Sequence, residues 1–132
     1  MDNIFSNDDI IHTYSRKEAL EDGFQVDANI GEFAEVTKQH HKFPVYMTRG
    51  VYELIERAVK NERWANDWKG VWHDILWMNR VMKRYIDEST VEFQVIIRGA
   101  GRKQKYTMIA QVGPMDIDDP SPAVTISLPG ED

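Results

Sequence analysis

The chain has 132 residues, with 16 Lys+Arg, 22 Asp+Glu, no cysteine and four tryptophans. That length fits one globular domain over 1–132 with a core of its own, and the lack of cysteine excludes disulfides, thiol chemistry, iron–sulfur clusters and cysteine-ligated zinc. The net charge of −6 divides into blocks: residues 1–35 carry two basic and nine acidic side chains, 36–110 fourteen and eight, and 111–132 none and five. Acidic ends therefore flank a basic middle, which bears on partners rather than on fold.

The predicted elements begin with a helix marked at both ends. Ser15 and Glu18 make a capping box, Tyr14 and Ala19 occupy the staple positions, and Gly23 is placed to close the helix in a left-handed conformation. Phe24 and Val26 alternate with Gln25 and Asp27, predicting a brief strand. Ile30, Phe33 and Ala34 have helical spacing ahead of a polar run over 37–42. The segment Phe43-Pro44-Val45-Tyr46-Met47 reads as extended and at a sheet edge, because proline disfavours helix in its predecessor and brings no ladder donor.

Thr48 is then an N-cap for Val51, Leu54, Ile55, Ala58 and Val59, an amphipathic stripe that Asn61 can end. A loop carrying Trp64 and Trp68 leads to a second helix, in which Val71, Ile75, Met78, Met82 and Tyr85 recur at steps of four and three. After Thr90 the period becomes two. Val91, Phe93, Val95 and Ile97 share a face, residues 99–101 turn the chain, and Tyr106, Met108, Ala110 and Val112 return it as a hairpin. Gly113-Pro114 is expected to end that strand and an acidic loop with Pro120 and Pro122 to follow. Val124, Ile126 and Leu128 then form the last strand. The expected fold is α+β, with N-terminal helices packed on a C-terminal antiparallel sheet of about three strands, which the short N-terminal strands could extend.

Aromatic and charged residues supply the candidate sites. Trp64, Trp68 and Trp72 recur every fourth residue, with Trp77 beyond them. On one continuous helix the first three would line a face as a stacking platform, with Arg63, Lys69, Arg80, Lys83 and Arg84 supplying positive field. The competing reading puts Trp72 and Trp77 in the core, pinning helix to sheet, with Trp64 and Trp68 closing over the junction of the two helices. A partly exposed Trp64 or Trp68 would then mark a binding surface.

Arg98, Arg102, Lys103 and Lys105 crowd the predicted hairpin turn. No helix N-terminus follows them, so they match neither phosphate-binding fingerprint and read first as a solvated tip, with nucleic-acid contact as the alternative. Asp116, Asp118 and Asp119 lack the glycine and bidentate glutamate of a calcium loop; they read as solvated charge or as a dock for a basic partner. His12, His40, His41 and His73 include no His-x-x-x-His pair, so neither a metal nor a cofactor is expected.

Two resemblances add to this reading. Ile11-His12-Thr13-Tyr14-Ser15, with Ala19-Leu20 and Asp22-Gly23, resembles the opening motif of some ADP-ribosyltransferases, in which a His-x-Thr-Ser segment ends a strand before a short helix. It implies a nucleotide-dependent transferase using His12, Thr13 and Tyr14. A capped helix accounts for Ser15, Glu18 and Gly23 without such chemistry.

The second resemblance runs nearly the length of the chain. It is carried by Tyr14-Ser15-Arg16, Ala19 and Asp22-Gly23, then Val26-Asp27, Phe43-Pro44-Val45 with Thr48, residues 71–78, and Ala123-Val124-Thr125-Ile126 before Pro129. These look like an uncharacterised family of small bacterial, phage and plasmid proteins. That likeness implies an accessory role in a mobile element, such as interference with a host defence complex.

The resulting expectation is a non-enzymatic protein-interaction module with Trp64, Trp68, Asp116, Asp118 and Asp119 as contact candidates. The transferase and a nucleic-acid binder are the alternatives. The acidic N-terminus lacks the basic and apolar regions of a secretory signal, and no apolar run nears the ~18–20 residues of a membrane span, so a cytoplasmic location is expected.

Overall fold

The computed structural model describes residues 14–131. In chain order these form α1 (Arg16–Glu21), β1 (Gln25–Asp27), a 3-10 turn (Gly31–Phe33) running into α2 (Ala34–His40), β2 (Val45–Thr48) and α3 (Arg49–Lys60). Then come α4 (Trp68–Val81), β3 (Lys83–Tyr85), β4 (Thr90–Ile96), β5 (Lys105–Asp116) and β6 (Asp119–Ser127).

Among the described residues the strands make one six-stranded sheet ordered β1-β2-β6-β5-β4-β3. β2 lies parallel to β6, and the other neighbours are antiparallel. The expectation of about three antiparallel strands from the C-terminal part is thereby corrected. The fold is still α+β, but the sheet is mixed and draws on both halves of the chain.

Burial explains the difference. Val45 and Met47 stand in register with Val124 and Ile126, and all four enter one core. β2 is buried at every residue and is an inner strand, not an edge. Pro44 does not prevent this, because it precedes the strand and offers only its carbonyl, which accepts the Val124 N–H at 2.9 Å.

Pro114, Pro120 and Pro122 are likewise tolerated inside strands. β5 continues through Gly113-Pro114 to Asp116, and the expected acidic loop is a two-strand arm that turns at Ile117 and Asp118. The Val112 N–H points toward Ser89 and the Val124 N–H toward Pro44. By alternation, the nitrogens of Pro114 and Pro122 face outward past the ends of β4 and β2, where no ladder donor is required.

Helices α2, α3 and α4 cover one face of the sheet. α3 buries Val51, Leu54, Ile55 and Ala58, and α4 buries Val71, Trp72, Ile75 and Leu76. The Trp72 indole N–H donates to Thr37 Oγ1 at 2.9 Å, and that hydroxyl donates to the Ala28 carbonyl at 2.6 Å. Buried polar groups are thus paired where α2 meets α4.

α4 starts at Trp68 because Asp67 caps it, accepting the Gly70 N–H at 2.9 Å. It ends at Val81, so Tyr85 lies on β3 and not on the helix as its spacing suggested. Lys83 Nζ donates to the Arg80 carbonyl at 2.9 Å, and Arg84 pairs with Glu92 across the strands at 2.7 Å. A cation at the helix end and a cross-strand ion pair favour the strand there.

The opposite face of the sheet carries α1. Its capping box is present as the sequence predicts, and Gly23 has φ 80°.

Candidate interaction groove

The shortness of β3 creates the site. β3 pairs only with Val91, Glu92 and Phe93, so Gln94, Val95 and Ile96 have β5 on one side and no strand on the other. Beside this open edge runs the C-terminal half of α4. A groove of about 700 Å³ is lined here by Trp77, Val81 and Met82 from the helix end and by Val95 and Ile96 from the strand. A second depression of about 450 Å³, walled by Trp64, Asn66 and Arg98, shares Asp74 and Ile96 with the first. Together they follow the edge of β4, with Trp77 on one stretch and Trp64 on the other.

The apolar exposure here is concentrated. Trp77 is 46% exposed, Trp64 38%, Ile96 55% and Met82 65%. Single exposed apolar residues are ordinary, but a group of them along one groove is the signature of a contact surface. Gly99, at φ 91°, makes room for Trp64: a Cβ there would lie 2.8 Å from Trp64 Cδ1. Asn66 donates to the Arg98 carbonyl at 2.7 Å, which closes the free backbone at that end.

Charge around the groove is mostly positive. The Arg98 guanidinium stands 5.8 Å over the Trp64 ring and that of Arg80 5.9 Å over Trp77. Lys105 lines the groove, and Arg84 is neutralised by Glu92. Asp74 is the acidic counterweight, its carboxylate 3.7 Å from His73 Nδ1.

Behind Trp77 lies a histidine pair. His73 stacks on Trp77 with centroids 6.3 Å apart, His40 meets His73 edge-on at 5.0 Å, and Arg80 Nη1 is 3.4 Å from His40 Nδ1. Partial burial, then the neighbouring His73 ring and the Arg80 guanidinium, lower the His40 pKa below its ordinary 6.5. Among the described residues no three His, Asp or Glu side chains converge as a metal site.

The predicted site residues are scattered by the fold. Trp64 precedes α4, so Trp64, Trp68 and Trp72 do not share a helix face. Trp68 stacks on Tyr52 at 5.4 Å and meets Phe33 edge-on at 5.8 Å, while Trp72 is fully buried. Trp77, expected in the core, is at the surface, since its position on α4 is turned ~140° from Trp72 at ~100° per residue.

Asp116 is engaged within the fold by the N–H groups of Arg16 and Lys17, and Asp119 by Ser121, while Asp118 is exposed at the turn between them. Of the hairpin cations, Arg98 and Lys105 reach the groove. Arg102 lines a separate depression with Glu56, Arg57 and Lys60, and Lys103 lies 5.2 Å over the Tyr106 ring. His12 and Thr13 lie outside the described residues. The Tyr14 hydroxyl donates to the Asp22 carboxylate, which pushes its pKa up to about 12.

Fold and groove define an α+β protein in which a mixed sheet, helix-covered on one face, leaves one apolar-flanked strand edge open. The chain belongs to DUF6573, a family of unknown function whose model matches residues 1–132. No curated protein and no solved structure matches it. The expected membership in an uncharacterised family thus holds, while its tie to phages and plasmids rests on the sequence likeness alone. Among the described residues no helix is long and apolar enough to cross a membrane.

Proposed function

We propose that this chain is a non-enzymatic protein-interaction module that engages its partner through the groove between α4 and β4. The observation that carries the reading is the coincidence of an unpaired strand edge with exposed Trp77, Met82, Ile96 and Trp64. An open edge beside apolar surface invites association, and proteins ordinarily cover or charge such edges. The aliphatic character of Val81, Met82 and Ile96 suits side chains of a protein better than nucleobases, which favour aromatic platforms. The division of Arg98, Arg102, Lys103 and Lys105 among separate surfaces also weakens a nucleic-acid reading. The likeness to small phage and plasmid proteins supports a host protein as the partner and inhibition of a host defence complex as the role.

Site-specific crosslinking tests the proposal. A photo-crosslinking residue at Met82 or Trp64 is expected to give discrete protein adducts in native-cell lysate at low and moderate salt. The same residue at Lys17, on the far face, is expected to give none. Absence of adducts from both groove positions would overturn the assignment.

A further inference from the structure

Resting on that reading of the groove, we infer that its occupant is an extended acidic segment of the partner, added as a strand to the open edge of β4. The geometry supplies the first argument. Lys83 of β3 pairs with Phe93, so an incoming strand alongside Gln94, Val95 and Ile96 would continue the line of β3. The Ile97 N–H bonds the Gln104 carbonyl at 2.8 Å, on the β5 side. Backbone alternation therefore turns the Ile96 N–H and carbonyl to the open edge, where a partner strand can pair with them. Asn66 bounds this stretch at Arg98, leaving about 10 Å of edge for three residues.

The side chains define the class of segment. Along an added strand, alternate residues would point to the helix side, between Trp77, Val81 and Met82, and those must be apolar. The residues between them would emerge on the other face beside Ile96 and Lys105, which pair across β4 and β5. Among the charged residues lining the two depressions, Lys83, Lys105 and Arg98 outweigh Asp74 once Arg84 and Glu92 cancel. Asp or Glu at those intervening positions is thus the complementary choice.

Two other occupants fit less well. A second copy adding to the sheet through its terminal strand, β3 to β3 about the centre, would set Arg84 against Arg84, a like-charge contact, and would leave the β4 edge unfilled. An amphipathic helix would fill the apolar trough but leave the Ile96 backbone groups without partners.

Panning a library of short random peptides against the full chain tests the inference. Enriched peptides are expected to alternate apolar residues with Asp or Glu, and their binding to slow hydrogen exchange at the Ile96 amide. Ile96→Pro removes the edge-facing donor while sparing the bonds to β5, and should weaken these peptides by about tenfold, as one lost hydrogen bond implies. If Ile96→Pro does not fold, exchange at Ile96 in the wild-type chain decides. Enrichment of apolar residues at helical spacing, of basic peptides, or binding without protection at Ile96 would overturn strand addition by an acidic segment while leaving a protein-binding groove. Enrichment no greater than against a Trp77→Asp/Met82→Asp double variant would overturn the groove itself.

Discussion

The carboxylate of Asp116 accepts the backbone N–H groups of both Arg16 and Lys17, each at 3.0 Å, across 100 and 99 residues of sequence. Ser15 Oγ accepts the next N–H, from Glu18, at 3.0 Å. A helix of six residues does not persist alone, so α1 depends on these long-range bonds and on Arg16. The Arg16 guanidinium lies 4.3 Å over the Tyr46 ring and donates to the Met115 carbonyl at 2.6 Å and to Thr125 at 3.1 Å. Removing the carboxylate with Asp116→Ala should destabilise the fold by about 0.5–2 kcal/mol, the range for a lost N-terminal cap. Asp118→Ala, at the exposed turn, should stay within about 0.5 kcal/mol of wild type. Urea denaturation compares them, and equal effects would contradict a capping role for Asp116.

The hydrogen-bond chain from Trp72 through Thr37 to Ala28 makes a second prediction. Thr37→Val keeps the shape of the side chain but leaves the Trp72 N–H and the Ala28 carbonyl unpaired in a buried site. The expected loss is about 1–3 kcal/mol per stranded group, so unfolding should move to clearly lower denaturant. A Thr37→Val protein as stable as wild type would mean that neither bond matters.

Tryptophans 72 and 77 should behave oppositely although they sit on one helix. Trp72→Ala empties the centre of the core and should cost about 3–5 kcal/mol. Trp77→Ala removes a half-exposed ring and should cost far less, while acrylamide quenching of the remaining fluorescence should fall because an accessible indole has gone. Unchanged quenching in Trp77→Ala would place that ring inside.

This pair also shows what was legible in the sequence. The stripe of Val71, Trp72, Ile75 and Leu76 sets the buried face of α4, and the same periodicity puts Trp77 on the far side; its residue type, weighed above its position, pointed to the core. The end of α4 was obscured because Tyr85 follows Met82 at a helical interval, and only pairing with β4 makes residues 83–85 a strand. β2 was readable as extended, but its parallel alignment with β6 depends on a match between residues some eighty apart, such as Val45 with Val124. The groove exists because β3 stops short of β4, a relation between two lengths that no local motif records.

The last prediction concerns pH, where two sets of groups act in separate windows. Burial lowers the pKa of both His40 and His41 below the ordinary 6.5; His73 and Arg80 reinforce the shift at His40, and Arg80 does so at His41, where Asn79 opposes it. His41 Nε2 is also buried without a hydrogen-bond partner. Between the folded and unfolded pKa values the unfolded chain holds more protons, so unfolding free energy rises with pH there. Acidification through 6.5 should therefore lower stability until the folded values are passed. Asp116 is held below 3.8, chiefly by the Ile117 N–H and then by the amides of Lys17 and Arg16, and Asp119 by Ser121. Their contribution is present above the unfolded value and lost as pH falls further, giving a second decline below about 4. Denaturation midpoints taken from about pH 8 to about pH 3 should show both declines. In His41→Gln the upper one should shrink and the lower one persist. A midpoint flat through the upper window, or an upper decline untouched by His41→Gln, would rule out the buried histidine as its source.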